Sequence, residues 1–421
     1  MNTLLVTILG GIGFFLLIIA SIVLHEIGHF LPAKRFGVRV AQFFVGFGKN
    51  LWSTKKGETE YGVKLVPLGG YVRLMGMYPP YKEGKNTRLK RIADSAREAE
   101  WDDISEEDVA NQRLYYQKPV WQRLIIMFGG VAMNIILAFG LFLGVNLTYG
   151  QYQASMRIGY VAQCLEPEPA ECVAPPAAQM GLQVGDIVLE FNGTPYTKYD
   201  DFTTAIRANK GGSVQLTVLR DDKRLTLPTV SGMTRMIADP NDPTQGIEVG
   251  FLGINVYQER VKIGPGGTLK QMWEMTTLSV KAIAKLPVSA VKVLVDMVTG
   301  QERDPDGPIS IFGASAIAGE VIAIDAPASA RIAFFLQLLA SLNLFIGLFN
   351  LVPLPPFDGG HIAVGVWEKI KRSWAKGRGK PDPGPADSAK LLPITYVMFV
   401  LLILMGVIMI VADIVSPVSL F

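Results

Sequence analysis

Two of the three histidines in this chain, His25 and His29, stand four residues apart, and Glu26 directly follows the first of them. In an α-helix, positions i and i+4 share a face, so both imidazoles can reach one metal ion while the Glu26 carboxylate stands beside it. A helical H-E-x-x-H string of this kind is typical of zinc hydrolases. The spacing therefore predicts His25 and His29 as ligands of one metal ion.

The residues before this string place it in a membrane. Residues 4–24 carry no charged side chain, and about 20 helical residues rising ~1.5 Å each span the hydrocarbon core of a bilayer. An H-E-x-x-H string can also arise by chance on any helix. However, an ionised side chain in a membrane segment costs about 2.5 to 3.5 kcal/mol, so such groups are usually retained for function. We therefore expect a functional metal site at membrane depth.

The composition indicates an integral membrane protein of two or three domains. The chain has 421 residues, of which 49% are hydrophobic, and its mean hydropathy is positive. The net charge is only +3, so no nucleic-acid partner is implied. Four apolar segments are long enough to span a bilayer, at residues 4–30, 120–145, 332–352 and 391–411.

The basic residues predict the orientation of these segments. Lysine and arginine are concentrated at residues 34–118 and 369–390, next to apolar segments. The positive-inside rule puts both stretches in the cytoplasm, so the N-terminus, residues 151–330 and the last few residues lie outside. The first segment lacks the basic start of a cleavable signal peptide and runs too long for one, so we expect it to remain in the mature protein.

A third ligand is needed, because two imidazoles and a water leave one tetrahedral zinc position for the protein to fill. The candidates are Asp358 and His361, in a stretch rich in proline and glycine directly after the third apolar segment. Prolines there end any helix and leave backbone groups unpaired, which is tolerated in a water-holding cavity but not in lipid. Asp358 is the stronger candidate, since the two glycines after it let the backbone approach closely. A plain loop at the cytoplasmic membrane edge is the alternative.

At this point the chain resembles the site-2 proteases, the zinc intramembrane proteases of peptidase family M50, and among them the bacterial regulator-of-sigma-E protease branch and its single-PDZ actinobacterial relatives. The matching motifs follow the family's order over almost the full length, at residues 25–30, 33–38, 45–48, 67–72, 129–134 and 350–360. The first and last are the most specific. The resemblance implies a zinc metalloendopeptidase that cleaves single-pass membrane proteins of the anti-sigma-factor type, after a site-1 protease has cut the same substrate.

The resemblance also implies residue roles. His25, His29 and Asp358 would bind Zn²⁺, Glu26 would be the base that activates a water, and Asn350 would hold the substrate or its tetrahedral intermediate. The chain departs from the family pattern at Pro32, which should end or bend the helix one turn after His29. It departs again where Gly-Gly-Val at 129–131 replaces the more usual Ala-Gly-Pro.

A β-hairpin is predicted between the first two spans. Apolar and other residues alternate over 61–66, Pro67 to Gly70 reads as a turn, and residues 71–74 read as the returning strand. An edge of this hairpin could pair with an unwound substrate by strand addition. An ordinary cytoplasmic hairpin is the alternative, and the resemblance favours a membrane-associated one.

The outside region is predicted to hold one PDZ domain. Residues 176–186 resemble the short PDZ signature, with a helix at about 200–208 and a strand at 214–220. The resemblance implies a size filter above the active site, and a static spacer is the alternative. Cys164 and Cys172 lie in an acidic insertion here, where a disulfide is permitted but reduced thiols stay open. Residues 269–298 read as an amphipathic helix on the outer membrane face or at the entrance.

The predicted fold is thus a polytopic α-helical membrane protein of mixed α+β class, with four transmembrane helices, a membrane-associated β-hairpin and one extracytoplasmic PDZ domain, in the plasma (cell inner) membrane. The predicted segments are 1–36 (helix 1 with H-E-x-x-H), 37–76 (hairpin region), 77–118 (charged cytoplasmic insertion), 119–149 (helix 2), 155–232 (PDZ), 233–330 (linker with the amphipathic helix), 331–352 (helix 3), 353–361 (metal-ligand loop), 362–390 (basic cytoplasmic loop) and 391–414 (helix 4). A different class of function remains open: a membrane metal-binding PDZ adaptor with a structural zinc site. Glu26 separates the two, because a structural site needs no carboxylate beside its first ligand.

Overall fold

The computed structural model describes residues 3–80, 88–164, 173–238, 246–301, 303–304 and 307–417. It divides into two compact units. The helical unit comprises Met1–Thr148 and Gly264–Phe421, and the strand-rich unit comprises Tyr149–Ile263.

Within the described residues, eleven α-helices have the following bounds: α1 Thr3–Arg35, α2 Arg88–Trp101, α3 Glu106–Ala110, α4 Val120–Thr148, α5 Pro176–Gln179, α6 Tyr199–Ala208, α7 Pro265–Thr299, α8 Ile311–Ala323, α9 Ala328–Asn350, α10 Asp358–Gly377 and α11 Leu392–Val415. Over the same residues, the twelve strands are β1 Val40–Lys56, β2 Thr59–Leu74, β3 Gln151–Val161, β4 Ile187–Phe191, β5 Thr194–Pro195, β6 Ser213–Val214, β7 Leu216–Arg220, β8 Lys223–Thr226, β9 Val230–Ser231, β10 Met233–Ala238, β11 Gly246–Phe251 and β12 Ile254–Val261.

Four helices of the described chain are long and apolar enough to cross a membrane, at Leu4–Arg35, Val120–Thr148, Ala328–Asn350 and Ser388–Val415. The shortest has 23 residues, which at ~1.5 Å per residue exceeds the roughly 30 Å of a hydrocarbon core. Each coincides with one of the four predicted apolar segments. The helix α8 was not predicted, because its 13 residues are too few to span and too apolar to show a helical period.

The helix α1 is held between two neighbours by small residues. Near its start, Gly10 and Gly11 face α8, where a Cβ built on Gly319 would lie 2.2 Å from the Thr7 carbonyl oxygen. Near its end, a Cβ built on Gly28 would lie 2.3 Å from the Gly129 carbonyl oxygen of α4. Such close crossings are typical of helices packed within a membrane, where small residues let the backbones touch.

The sheet between the first two spans differs from the predicted hairpin. Gly57 and Glu58 connect β1 to β2, and Gly57 takes the left-handed conformation that a tight turn requires (φ +64°). The predicted turn at Pro67 to Gly70 is therefore wrong, because these residues lie inside β2. They carry the chain from one side of β1 to the other: residues 42–45 pair with 60–63 on one side and with 70–73 on the other. The two legs of β2 are thus separated by β1 and do not pair with each other.

The strand-rich unit is larger than the predicted 155–232 segment. Its largest sheet has the order β12-β3-β4-β7-β8, and its core is built from buried side chains that include Ile158, Phe202 and Leu216. Residues 233–261, predicted as linker, form β10 to β12, and β12 pairs with β3. The predicted helix and strand correspond to α6 and β7. Cys164 is disulfide-bonded, while its predicted partner Cys172 lies outside the described residues.

Candidate metal centre

The predicted histidines lie on the last turns of the long apolar helix α1. His25 and His29 are both buried, at 8% and 7% exposure, and their ring centroids are 4.8 Å apart. Pro32 does not end the helix as expected, since α1 continues to Arg35. The backbone N–H that proline lacks would have bonded the Gly28 carbonyl, and Gly129 of α4 lies directly against that oxygen instead.

The third candidate, Asp358, is the first residue of α10, and its carboxylate meets both histidines. Its Oδ2 atom lies 3.3 Å from His25 Nε2 and 3.2 Å from His29 Nε2, and the two Nε2 atoms are 3.2 Å apart. A tetrahedral zinc ion with bonds of ~2.0 Å has ligand atoms about 3.3 Å from one another. The buried Oδ2 atom also lacks a hydrogen-bond partner. The donor set therefore fits a zinc ion, and its remaining position would be left to a water.

The orientation of His29 is set by α4. The Nδ1–H of His29 donates to the Ile126 carbonyl oxygen at 2.8 Å, which leaves the lone pair of Nε2 directed toward His25 and Asp358. Metal-binding histidines generally use such a backbone bond to fix the tautomer and the ring plane. This carbonyl was not predicted, because no side-chain pattern marks it.

A glycine on α4 makes room for the two imidazoles. A Cβ built on Gly130 would lie 2.3 Å from His29 Nε2 and 2.7 Å from His25 Cε1. Gly-Gly-Val at 129–131 differs from the family's Ala-Gly-Pro at its first and third positions but keeps the glycine at position 130, where α4 crosses α1. Only a residue without a side chain fits here.

We expect Gly130→Ala to lower zinc binding at least tenfold, because the new methyl group occupies the space of the ligand atoms, and cleavage should fall with it. Zinc per purified protein is measured by atomic emission. Gly140→Ala on the same helix is the matched control, since a Cβ there meets nothing within 4 Å. Full zinc occupancy in the Gly130→Ala protein would show that α1 and α4 can separate without loss of the site.

The Asp358 position is built by the short segment 351–357 between α9 and α10. A Cβ on Gly359 would lie 2.4 Å from the carbonyl oxygens of Leu351 and Val352, and one on Gly360 would lie 2.7 Å from Pro355 N. The two glycines therefore allow the close backbone approach that the sequence predicted. Burial opposes ionisation of Asp358, but the neighbouring His29 and His25 outweigh it and hold the pKa of this carboxyl well below its usual range.

His361, the other candidate ligand, does not join the three donor atoms, which come from His25, His29 and Asp358. Burial lowers the pKa of His361 and thereby favours its neutral imidazole. It lies one turn along α10 from Asp358. Among the described residues it is a neighbour of the centre and not part of the donor triangle.

Glu26 lies against the second leg of β2. Its carboxylate faces the Val72 backbone N–H, and a Cβ built on Gly70 would lie 3.1 Å from Glu26 Cγ. The sheet therefore positions the predicted base beside the candidate metal ligands. The sequence did not assign this role to Val72 or Gly70. It predicted a turn at Pro67 to Gly70, whereas these residues lie inside β2 and bring its second leg to Glu26.

Asn350 ends α9, eight residues before Asp358, and is partly buried. Sequence reasoning did not single out two other amides, Asn134 and Asn343, which are buried at 1% and 0% exposure. Asn343 donates to Ser21 Oγ at 3.1 Å, one helical turn before His25. Asn343 therefore ties α9 to α1 next to the candidate centre, and Asn134 of α4 packs against Gly347 of α9.

Comparison with known proteins finds similarity over nearly the whole chain. The sequence model of "Peptidase family M50" matches residues 13–381. Zinc metalloprotease Rip1 of Mycobacterium tuberculosis (strain H37Rv) is 35% identical over 98% of both chains. Rip1 of Mycolicibacterium smegmatis is 34% identical over 98% of this chain and 99% of its own, and metalloprotease MmpA of Caulobacter vibrioides is 28% identical over 85% and 86%.

Proposed function

Since the chain belongs to peptidase family M50 and is a multi-pass membrane zinc metalloendopeptidase, we propose that it cleaves single-pass membrane proteins within or near their spanning segments. The observation that carries this proposal is the donor triangle of His25, His29 and Asp358 at the end of a membrane-spanning helix. Glu26 stands beside it, which a purely structural zinc site would not require.

The chemistry divides between the metal and the side chains. A zinc ion held by His25, His29 and Asp358 would activate a water for attack and polarise the scissile carbonyl. Glu26 takes the proton of the attacking water and hands it to the leaving amine. The Glu26 carboxylate lies beside the backbone of the second leg of β2 at Gly70, and His29 is held by the Ile126 carbonyl. Asn350 is the proposed contact for the substrate or its tetrahedral intermediate.

The second leg of β2 is the proposed docking edge for substrate. Residues 70–74 pair with β1 along one edge, and in the described chain no other strand pairs with the opposite edge. A substrate segment unwound from its helix could add to this edge by main-chain hydrogen bonds, which would expose its carbonyls at the metal. The docking role proposed for the hairpin thus transfers to this leg, whose neighbour in space is Glu26.

The active site is proposed to face the cytoplasm. The helix α1 ends in Lys34 and Arg35, and α10, which begins at Asp358, carries further basic residues. Both therefore lie on the side that the positive-inside rule assigns to the cytoplasm. Water reaches the centre from that side, and the strand-rich unit is extracytoplasmic in this arrangement.

The test of this function is the position of the cut. The purified protein is reconstituted with a single-pass anti-sigma-factor-type substrate whose outside domain has been removed, and the product ends are read by mass spectrometry. We expect a new terminus inside or within a few residues of the spanning segment. A cut confined to a soluble loop would instead identify a membrane-anchored protease that acts outside the bilayer.

The strand-rich unit is proposed to be a PDZ domain that excludes untrimmed substrate. The signature stretch forms α5 and two turns with glycines at positive φ, Gly181 and Gly185. The stretch ends on Asp186, which is buried and bonded by Arg220 at 2.7 Å. An earlier site-1 cleavage would then be required before the substrate enters.

Excision of the unit tests the size filter, and the fold gives the points of excision. Gln151 pairs with Val261, so the two ends of the unit emerge side by side and a short Gly-Ser linker can join Thr148 to Gly264. We expect the excised protein to bind zinc and to cut substrate that keeps its outside domain, which the full chain leaves whole. The same excision carrying Glu26→Gln is the control for cleavage by another protease.

Two results would contradict the filter. An excised protein that binds zinc and still rejects untrimmed substrate would show that selection lies in the helical unit. One that binds zinc and cuts nothing would show that the unit recruits substrate.

A further inference from the structure

Helix α10 carries a stripe of large apolar side chains on its outer face. Trp367, Ile370 and Trp374 are 57%, 54% and 56% exposed, and Val366 beside them is 43% exposed. At 3.6 residues per turn these four side chains fall within an arc of roughly 100°. Contiguous exposed apolar surface of this kind marks an interaction site, because single exposed apolar residues are normally scattered.

The opposite face of α10 is fixed to the helical unit. A Cβ built on Gly365 would lie 3.0 Å from Leu124 of α4. Glu368, only 1% exposed, is bonded by Arg123 at 2.5 Å and by Arg372 at 2.9 Å. Arg372 belongs to α10 itself, but Arg123 belongs to α4, and the Ala386 N–H donates to the same carboxylate at 2.9 Å. These two contacts from outside the helix fix the rotation of α10 about its axis. The apolar stripe therefore cannot turn inward and must face the surroundings.

Basic residues border the stripe on both sides. By helical angle, Lys369 and Lys376 fall on one flank, and Lys371 and Arg378 fall on the other. The Arg378 guanidinium lies 3.8 Å from the Trp374 ring centroid, so the charge stays at the edge of the apolar surface. An apolar stripe between two rows of cations is complementary to a flat surface with an anionic layer above an apolar one.

The location of α10 indicates which surface this is. Seven residues separate the end of α9 from the start of α10, and α10 packs on the first turns of α4. Both α9 and α4 are candidate membrane spans. The helix α10 therefore lies where two spans leave the bilayer, at the level of the lipid headgroups.

We propose that α10 is an interfacial helix that binds anionic phospholipid. Trp367, Ile370 and Trp374 insert below the headgroups, and the bordering lysines and Arg378 contact lipid phosphates. Its first residue is Asp358, so the helix that carries the carboxylate of the metal centre is itself held by the membrane surface. The bilayer then acts as a partner of this element and not only as the solvent of the spanning helices.

The test uses the full-length protein in lipid nanodiscs with one introduced probe site. No described cysteine is free, so Ile370→Cys can be labelled with a polarity-sensitive fluorophore. In discs with phosphatidylglycerol, we expect blue-shifted emission that is quenched by nitroxide-labelled lipid and not by aqueous iodide. Lys376→Cys on the same helix is the matched control, and its probe should be quenched by iodide.

The charge contribution is tested by replacing Lys369, Lys371, Lys376 and Arg378 with glutamine. Each basic residue near an anionic surface contributes about fivefold to binding, so the protection of the probe at 370 in phosphatidylglycerol discs should be lost or markedly reduced. Zinc content is measured in parallel to verify the fold. Iodide quenching at 370 in the parent protein, or protection that appears only when a second protein is added, would overturn the proposal. Equal protection in neutral and anionic discs would overturn the anionic preference.

Discussion

Glu26→Gln is expected to slow peptide-bond cleavage by at least about 10²-fold while the protein retains its zinc. The substitution keeps the length and shape of the side chain, but the amide cannot accept the proton of the attacking water. The donor triangle of His25, His29 and Asp358 does not involve this side chain. Zinc content and the rate of cleavage of a trimmed single-pass substrate are measured on the same preparation.

Glu107→Gln is the matched control, because it makes the same chemical change at an exposed position of α3. It should leave both rate and zinc unchanged. If Glu26→Gln cleaves at the parental rate, another group is the base and the mechanism proposed for this centre is wrong. If zinc is lost together with activity, Glu26 has a role in holding the metal that the geometry does not show.

Asp358→Ala is expected to remove both zinc and cleavage. Its Oδ2 atom is one of only three protein donor atoms that meet at the described centre, and two imidazoles alone leave the ion half solvated. The loss in zinc affinity should exceed the roughly 10- to 100-fold that follows removal of a partner beyond the ligands. Affinity is measured by competition with a chromophoric chelator.

His361→Ala is the comparison, since it removes a titratable side chain one turn away on the same helix. It should keep most of the zinc and most of the activity. The reverse pattern, with zinc lost from His361→Ala and kept by Asp358→Ala, would move the third ligand to His361 and require the first turn of α10 to rotate.

The elements that depend on local pattern could be predicted from the sequence. The four spanning helices follow from apolar runs, and His25, His29 and Asp358, singled out by spacing and motif, lie together in the structure. The errors arise where distant segments decide the outcome. The stretch at Pro67 to Gly70 has the residue types of a turn. In the structure one leg of β2 pairs with each side of β1, so this stretch connects the two legs across β1.

The predicted segment for the strand-rich unit, 155–232, was too short for the same reason. The last strand, β12, belongs to the strand-rich unit because it pairs with β3 at the start of the unit. The hydrophobic periodicity of a segment does not predict a pairing between strands so far apart in the sequence. The steric role of Gly130 likewise depends on where α1 and α4 cross. A glycine in an apolar run gives no sign of the side chain that faces it.

The three donor residues of the candidate metal centre are far apart in the sequence, since two lie on α1 and one is the first residue of α10. During synthesis the N-terminal part of the chain emerges first, so the pair of histidines enters the membrane long before the carboxylate that completes the triangle. The strand-rich unit and α7, α8 and α9 are all translated in between. A nascent or truncated chain that stops before α10 thus has two imidazoles and lacks the third donor, so we expect it to have no hydrolytic activity until α10 has been translated.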